Sequence, residues 1–251
     1  MMGKVYLVGA GPGDPNLLTR RGFELIKMAD VILYDRLVSN KILSLIPKNI
    51  NKVYVGRKVG DDYLHQEKYT NKLMLKYAKI KKCVVRLKGG DPMIFGRGGE
   101  EAEYLKKHFI KFEIIPGISS GIGAPAYSRI PLTHRKFASS LAFVTGNEDP
   151  LKTKHTDWKK LINSVDTLVI FMGLSKIDNI CKQLIEGGAN KNTPIAVIQN
   201  GTMSNHKTII GTISIIPNKI KRLHIKPPVI IVIGNVVKLN KTLSCSNQND
   251  Y

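Results

Sequence analysis

Short β-branched runs alternate with stretches of helical spacing along the first half of the chain, and this alternation limits the fold more than any other feature. KVYLVG (4–9) reads as a strand and LLTRRGFELIKMA (17–29) as a helix. VILYD (31–35) is a second strand, NKILSLI (40–46) a short helix and KVYVG (52–56) a third strand. In KYTNKLMLKYAKI (68–80) apolar residues at 69, 73, 77 and 80 keep a period near 3.6, the mark of an amphipathic helix. CVVRLK (83–88), EEAEYLKKH (100–108) and FEIIP (112–116) continue the pattern as strand, helix and strand. Strands separated by helices pair in parallel, so this half predicts a mainly parallel sheet covered by helices.

A second α/β unit is expected after Pro116-Gly117. Its strand candidates are SSLAFVTG (139–146), TLVIFMG (167–173), TPIAVIQNG (193–201) and PPVIIVIGN (227–235). LSKIDNICKQLIEGG (174–188) reads as a helix ended by glycines, and KTIIGTISII (207–216) alternates as a hairpin around Gly211 would. The fold class is α/β: two abutting α/β domains, 1–116 and 117–241, with the ligand site in the cleft between them. A polar tail, 242–251, is expected to be disordered.

Composition excludes more than it selects. At 251 residues and 43% hydrophobic the chain can bury a real core, and its longest apolar runs are too short for a membrane span. Cys83, Cys181 and Cys245 are scattered, with no CxxC pair, which argues against a metal site or a disulfide framework and for the cytosol. The net charge of +20 is dominated by lysines spread along the whole chain and has three readings: nucleic-acid binding, an acidic small substrate, or a bulk bias toward Lys, Asn and Ile. No RNP, zinc-finger or basic-zipper motif accompanies it. No nucleic-acid or membrane partner is expected.

The glycine loops fail as phosphate cradles. In GAGPGDP (9–15) a dinucleotide fingerprint would need a third glycine where Asp14 stands, and Pro12 removes a backbone donor. The alternative is a tight βα turn in which Asp14-Pro15 starts the next helix. In LKGGDPMIFGRGGEE (87–101) the residues after Gly98-Gly99 are Glu100 and Glu101, not the Lys-Ser/Thr of a phosphate loop. Two acids suit the first turn of a helix and repel phosphate. Gly89-Gly90-Asp91 places bare backbone and a carboxylate at the C-terminal edge of a strand, where open α/β sheets bind ligands. Carbonyls and a carboxylate suit a cationic ligand such as a sulfonium cofactor, and glycines let it come close.

VYLVGAGPGDPNLLT (5–19), ADVILYDRLVS (29–39), VVRLKGGDPMIFGRGGEEAE (84–103), IPGISS (115–120), APAYSRIPLTHR (124–135), FVTG (143–146), TLVIFMG (167–173) and NGT (200–202) form an ordered set across residues 4–239. With it the chain resembles the uroporphyrinogen-III C-methyltransferases of the tetrapyrrole methyltransferase superfamily. The resemblance implies S-adenosylmethionine as methyl donor, with S-adenosylhomocysteine as product. It also implies a homodimer, and methylation of uroporphyrinogen III at C2 and C7 to precorrin-2, on the way to sirohaem and cobalamin. The cofactor positions it implies are Pro12, Gly89, Gly90, Asp91, Ile94, Ser119, Ser120, Met172 and Gly201. Asp35 matches the residue that serves the family as proton acceptor.

Two departures stand on the substrate side. Where the family commonly has Gly-Lys, with the lysine as proton donor, this chain has Gly56-Arg57-Lys58. Arginine stays protonated and suits a propionate better than proton donation, so either Lys58 takes the role or the role is dispensable. The following loop, VGDDYLHQEKYTN (59–71), is one residue longer than usual. A substrate with eight carboxylates calls for arginines, and Arg36, Arg57, Arg97, Arg129 and Arg135 are the candidates. Each of the arginines within the matching segments, taken alone, could equally be a structural ion pair. Asp35 could instead cap the next helix or pair with Arg36, and Met172 could be ordinary core. His134 reads as a hydrogen-bonded structural histidine. The rival functions are methylation of a later precorrin, methylation of ribosomal RNA, and non-catalytic tetrapyrrole binding.

Overall fold

β1 (Lys4–Gly9), β2 (Val31–Tyr34), β3 (Asn51–Tyr54), β4 (Cys83–Lys88) and β5 (Lys111–Ile115) form one sheet in the order β3-β2-β4-β1-β5, every pair parallel. The computed structural model describes residues 2–56, 63–148 and 152–244, with residues 63–66 described by backbone alone. The chain divides into two units, Met1–Ser120 and Gly121–Tyr251. In the first unit the helices are α1 (Arg20–Met28), α2 (Asn40–Leu43), α3 (Tyr63–Ile80) and α4 (Gly98–Lys107).

Side chains along each strand alternate between the sheet's two faces. Val8, Ile32, Val85 and Leu87 pack with Leu25, Ile26 and Ile42 of α1 and α2. Val5, Leu7, Val31, Leu33 and Val84 pack with Met74, Ala78 and Leu105 of α3 and α4. Each fully buried Leu or Ile contributes about 1.5–3 kcal/mol, so the two apolar layers fix the strand register. The same parity puts Arg86 and Lys88 on the face of Val84, under α3 and α4. Both are 3% exposed.

The second unit opens with α5 (Ser120–Tyr127), most of which it contains, and carries β6 (Leu141–Thr145), α6 (Trp158–Leu161), β7 (Thr167–Phe171), α7 (Ile177–Glu186) and β8 (Pro194–Gln199). β9 (Lys207–Thr212), α8 (Ile216–Arg222), β10 (Val229–Ile233) and α9 (Leu239–Leu243) complete it. Its sheet is mixed, in the order β6-β7-β10-β8-β9: β6 and β7 are parallel, and β10 lies antiparallel between β7 and β8. Ile170, Ile180, Leu184, Val197, Ile216 and Ile231 anchor its core.

Three local expectations are corrected. The hairpin around Gly211 does not form, because Gly211 pairs with Ile195 inside β9 and the hairpin is β8–β9. The chain turns after Thr212 and enters α8, which buries Ile216 and Ile220. The stretch read as a loop at 59–71 is already helix from Tyr63 onward. The tail expected from Thr242 begins inside α9, and only residues 245–251 lie outside the described ones. No helix among the described residues is long and apolar enough to cross a membrane.

Candidate active site

The C-terminal tips of β1 and β4 are tied by backbone alone: the Gly11 N–H donates to the Gly90 carbonyl at 3.1 Å and the Gly90 N–H to the Gly11 carbonyl at 2.8 Å. A side chain on Gly9 would strike the Gly117 Cα at 2.6 Å, and one on Gly117 would strike the Gly90 carbonyl. These glycines let three backbone segments meet. Gly89 is likewise closed, by Leu37 Cβ at 2.9 Å. Gly90 differs. Its φ is +71°, a conformation that favours glycine, and the space a side chain would take is open, with Ser120 N at 3.7 Å and Ser119 Cα at 3.9 Å.

Asp91 locks this junction. Its Oδ1 accepts from Met93 N at 2.7 Å and its Oδ2 from Gly117 N at 2.9 Å. Ser119 is buried, and Pro12, Ile94 and Ser120 are half-buried. Ser39 joins YDRLVS to the first glycine loop by donating its hydroxyl to the Gly13 carbonyl at 2.7 Å, while its Oγ caps α2. Asp14 caps a short 3₁₀ turn at Pro15–Leu17, as the alternative reading of that loop required.

Beside the junction lies a cavity of about 260 Å³ in the first unit, with Asp35, Arg86, Lys88, Gly89, Arg97 and Glu101 on its wall. Asp35 follows β2 and keeps the parity of Val31 and Leu33, so it points to the face shared with Arg86. Arg86 Nη2 donates to Asp35 Oδ1 at 2.7 Å and Arg86 Nε to Glu101 Oε1 at 2.9 Å. Lys88 Nζ donates to the same Glu101 Oε1 at 2.8 Å and lies 3.9 Å from Asp35 Oδ2. Asp35 therefore neither caps α2 nor pairs with Arg36. Burial opposes the Arg86 charge, but Glu101 and Asp35 outweigh it and hold the guanidinium above its ordinary range. For Lys88 burial wins, helped by the Arg86 charge, and the ammonium is pushed below the ordinary lysine value despite Glu101 and Asp35.

Sequence reasoning placed Glu101 only in the first turn of a helix and did not select Arg86 or Lys88. The signal was available. V84-R86-K88 sets two cations on one face of a central strand, and a buried cation needs a buried acid. Glu101, one turn into α4, supplies it.

Of the arginines expected to face the substrate, Arg97 reaches the cavity, where it pairs with Glu67 at 2.8 Å and lies 3.8 Å from Glu100. Arg36, Arg129 and Arg135 are exposed elsewhere on their own units. Arg57 and Lys58 lie outside the described residues. In the second unit Met172 is 50% exposed with φ +53°, so it is not core. Gly201 sits between Asn200 and Thr202, both left-handed, and packs on Ala124. His206 holds that turn by accepting the Thr202 N–H on Nδ1 at 3.2 Å, which places its proton on Nε2, beside Ser128 and Thr208. His134 accepts from Lys136 N through Nδ1 and packs against Phe137, a structural arrangement.

Comparison with known proteins covers nearly the whole chain. The profile of the tetrapyrrole (corrin/porphyrin) methylases matches residues 4–217. A uroporphyrinogen-III C-methyltransferase of Priestia megaterium is 47% identical over 239 residues, covering 95% of this chain and 100% of that protein. A siroheme synthase of Nitrosomonas europaea is 46% identical over 245 residues, but the chain spans only 51% of its length. The crystal structure of uroporphyrin-III C-methyl transferase from Thermus thermophilus complexed with S-adenyl homocysteine superposes with a TM-score of 0.81 at 37% identity. That match covers 94% of this chain and 100% of the other.

Proposed function

The chain belongs to the tetrapyrrole (corrin/porphyrin) methylase family, and from that premise we propose that it methylates uroporphyrinogen III with S-adenosylmethionine as donor. The methyl groups go to C2 and C7, giving precorrin-2 for sirohaem or cobalamin synthesis. The observation that carries this reading is the position of Asp35, a partly exposed carboxylate on the wall of a cavity that Gly89 also lines.

The residues present fit the cofactor. Gly90 offers bare backbone with open space toward Ser119 and Ser120, and no lysine or arginine stands within 89–94 to repel a sulfonium. Pro12, Gly89, Gly90, Asp91, Ile94, Ser119 and Ser120 would hold it, and the resemblance adds Met172 and Gly201. Bound there, S-adenosylmethionine supplies an electrophilic methyl group and is left as S-adenosylhomocysteine.

The chain's own part is placement and proton removal. Holding an electron-rich pyrrole carbon in line can supply many powers of ten in rate. Asp35 takes the ring proton lost as the new carbon–carbon bond forms, with Arg86 fixing the orientation of its Oδ1. A volume of about 260 Å³ admits one edge of a tetrapyrrole rather than the whole ring. Arg97 stands on the cavity wall, and Arg36, Arg57, Arg129 and Arg135 remain the candidates for the other carboxylates. Lys58 is the candidate proton donor. The reading extends to a cytosolic homodimer, on the resemblance and the scattered cysteines.

Anaerobic incubation of the pure protein with uroporphyrinogen III and S-adenosylmethionine tests this. Dimethylated product, fluorescent after oxidation, is the expected result. No methyl transfer under those conditions overturns the proposal.

A further inference from the structure

Asp35 is the expected base, yet the structure places it in a cluster of charges that the reaction as proposed does not explain. Arg86 alone would suffice to orient one carboxylate oxygen, as it does through Nη2 to Oδ1 at 2.7 Å. The second cation, Lys88, is 3% exposed, and burying an ammonium group is costly unless it has a partner and a purpose. Its partner is Glu101, whose Oε1 accepts both Lys88 Nζ at 2.8 Å and Arg86 Nε at 2.9 Å. The other oxygen, Glu101 Oε2, is buried and has no hydrogen-bond partner among the described residues. Glu101 is thus committed through one atom to holding the two cations side by side. Lys88 Nζ, so held, lies 3.9 Å from Asp35 Oδ2, the oxygen that Arg86 does not bind.

We propose that Lys88 is a positioning residue for methyl transfer: anchored on Glu101, its ammonium group fixes Asp35 from the side that Arg86 leaves open. The inference rests on the reading of Asp35 as the base. Among the described residues, the charged groups around it are Asp35 after β2, Arg86 beside it on β4, and Glu101 on α4. Glu67 of α3, Arg97 and Glu100 stand around the same cavity. With every member of the cluster ionised, Arg86 and Lys88 balance Asp35 and Glu101. Deprotonation of Lys88 would leave a buried excess of negative charge and release Asp35 Oδ2.

Burial and the Arg86 charge put that deprotonation below the ordinary lysine value. The wild-type enzyme should therefore lose kcat on the alkaline side before ordinary lysines titrate. Lys88→Met should lower kcat about tenfold or more, the scale of misplacing a reacting group, with little change in cofactor affinity by calorimetry. Lys88→Arg should recover most of that kcat and remove the alkaline limb, because arginine keeps its charge throughout. If Lys88→Met does not fold, Lys88→Gln, which keeps a polar head beside Glu101, carries the same expectation.

A second readout needs no substrate. In ligand-free protein labelled at the lysine ε-carbon, one resonance should titrate below the ordinary lysine range and be missing from Lys88→Arg. Such a resonance, together with the kinetic pattern, supports the proposal. A folded Lys88→Met or Lys88→Gln with wild-type kcat and pH profile overturns it, and so does a Lys88 resonance that titrates with the surface lysines. Because the resonance is read without turnover, its failure is separable from failure of the methyl-transfer reading.

Discussion

Asp91 engages both carboxylate oxygens with backbone N–H groups, at Met93 and Gly117. Its value to a ligand is then chiefly the shape of the loop, since the carboxylate holds the 89–93 turn against the segment that leads to Ser119 and Ser120. Asp91→Ala should weaken S-adenosylmethionine binding by calorimetry, and it should also cost about 2 kcal/mol of stability, because two N–H groups lose their acceptor. Unchanged affinity in a folded variant would remove Asp91 from the site altogether. The cluster around Asp35 makes a related point about single residues. Asp35 was recognisable as an acid at a strand end, whereas its partners were not, because pairing across β2, β4 and α4 is invisible to a scan along the chain. Only the parity of Val84, Arg86 and Lys88 hinted at it.

At the scale of elements, the tips of β1 and β4 and the segment after β5 converge with almost no side-chain volume between them. Gly117→Ala pushes a methyl group into the Gly90 carbonyl and against Gly9 Cα, both backbone atoms that cannot rotate away. Overpacking of this kind costs about 1–3 kcal/mol, read as a lower thermal midpoint, and should weaken cofactor binding as Gly90 shifts. Gly99→Ala is the matched control: it lies within α4 with nothing inside 4 Å of the new methyl, and should be neutral or stabilising by up to about 1 kcal/mol. A Gly117→Ala protein as stable as Gly99→Ala would show that the junction is looser than its geometry. The same scale explains the misread hairpin. Alternation of apolar residues in 207–216 fits a strand pair or a strand followed by a helix turn, and β8 offered a better edge than a second short strand.

For the whole molecule the outstanding quantity is the net charge of +20. Spread over the surface, it attracts a polyanionic substrate over distances of about 10 Å at 0.1 M salt, the Debye length there. If the substrate carries many carboxylates, kcat/KM should fall as ionic strength rises from about 0.05 to about 0.3 M, with kcat nearly constant. A flat kcat/KM would make the charge a compositional bias without a part in catalysis. The charge has little to do with the fold, which follows from apolar layers.

The sequence by itself determined the strands of both units, the main helices of the first and α7 of the second, the parallel sheet of the first, and the family, because periodicity and ordered motifs are local properties of a chain. It also marked Asp35 and the Gly89-Gly90-Asp91 edge as the place to look. Tertiary structure alone decided what those residues do to one another. The closed glycines serve a backbone junction, Asp91 is a staple, and Asp35 sits between two buried cations tied to Glu101. The physical reason is distance along the chain: Asp35, Arg86 and Glu101 meet only because β2 and β4 are neighbours and α4 packs over them. A buried charge reveals its role only when its partner is in place.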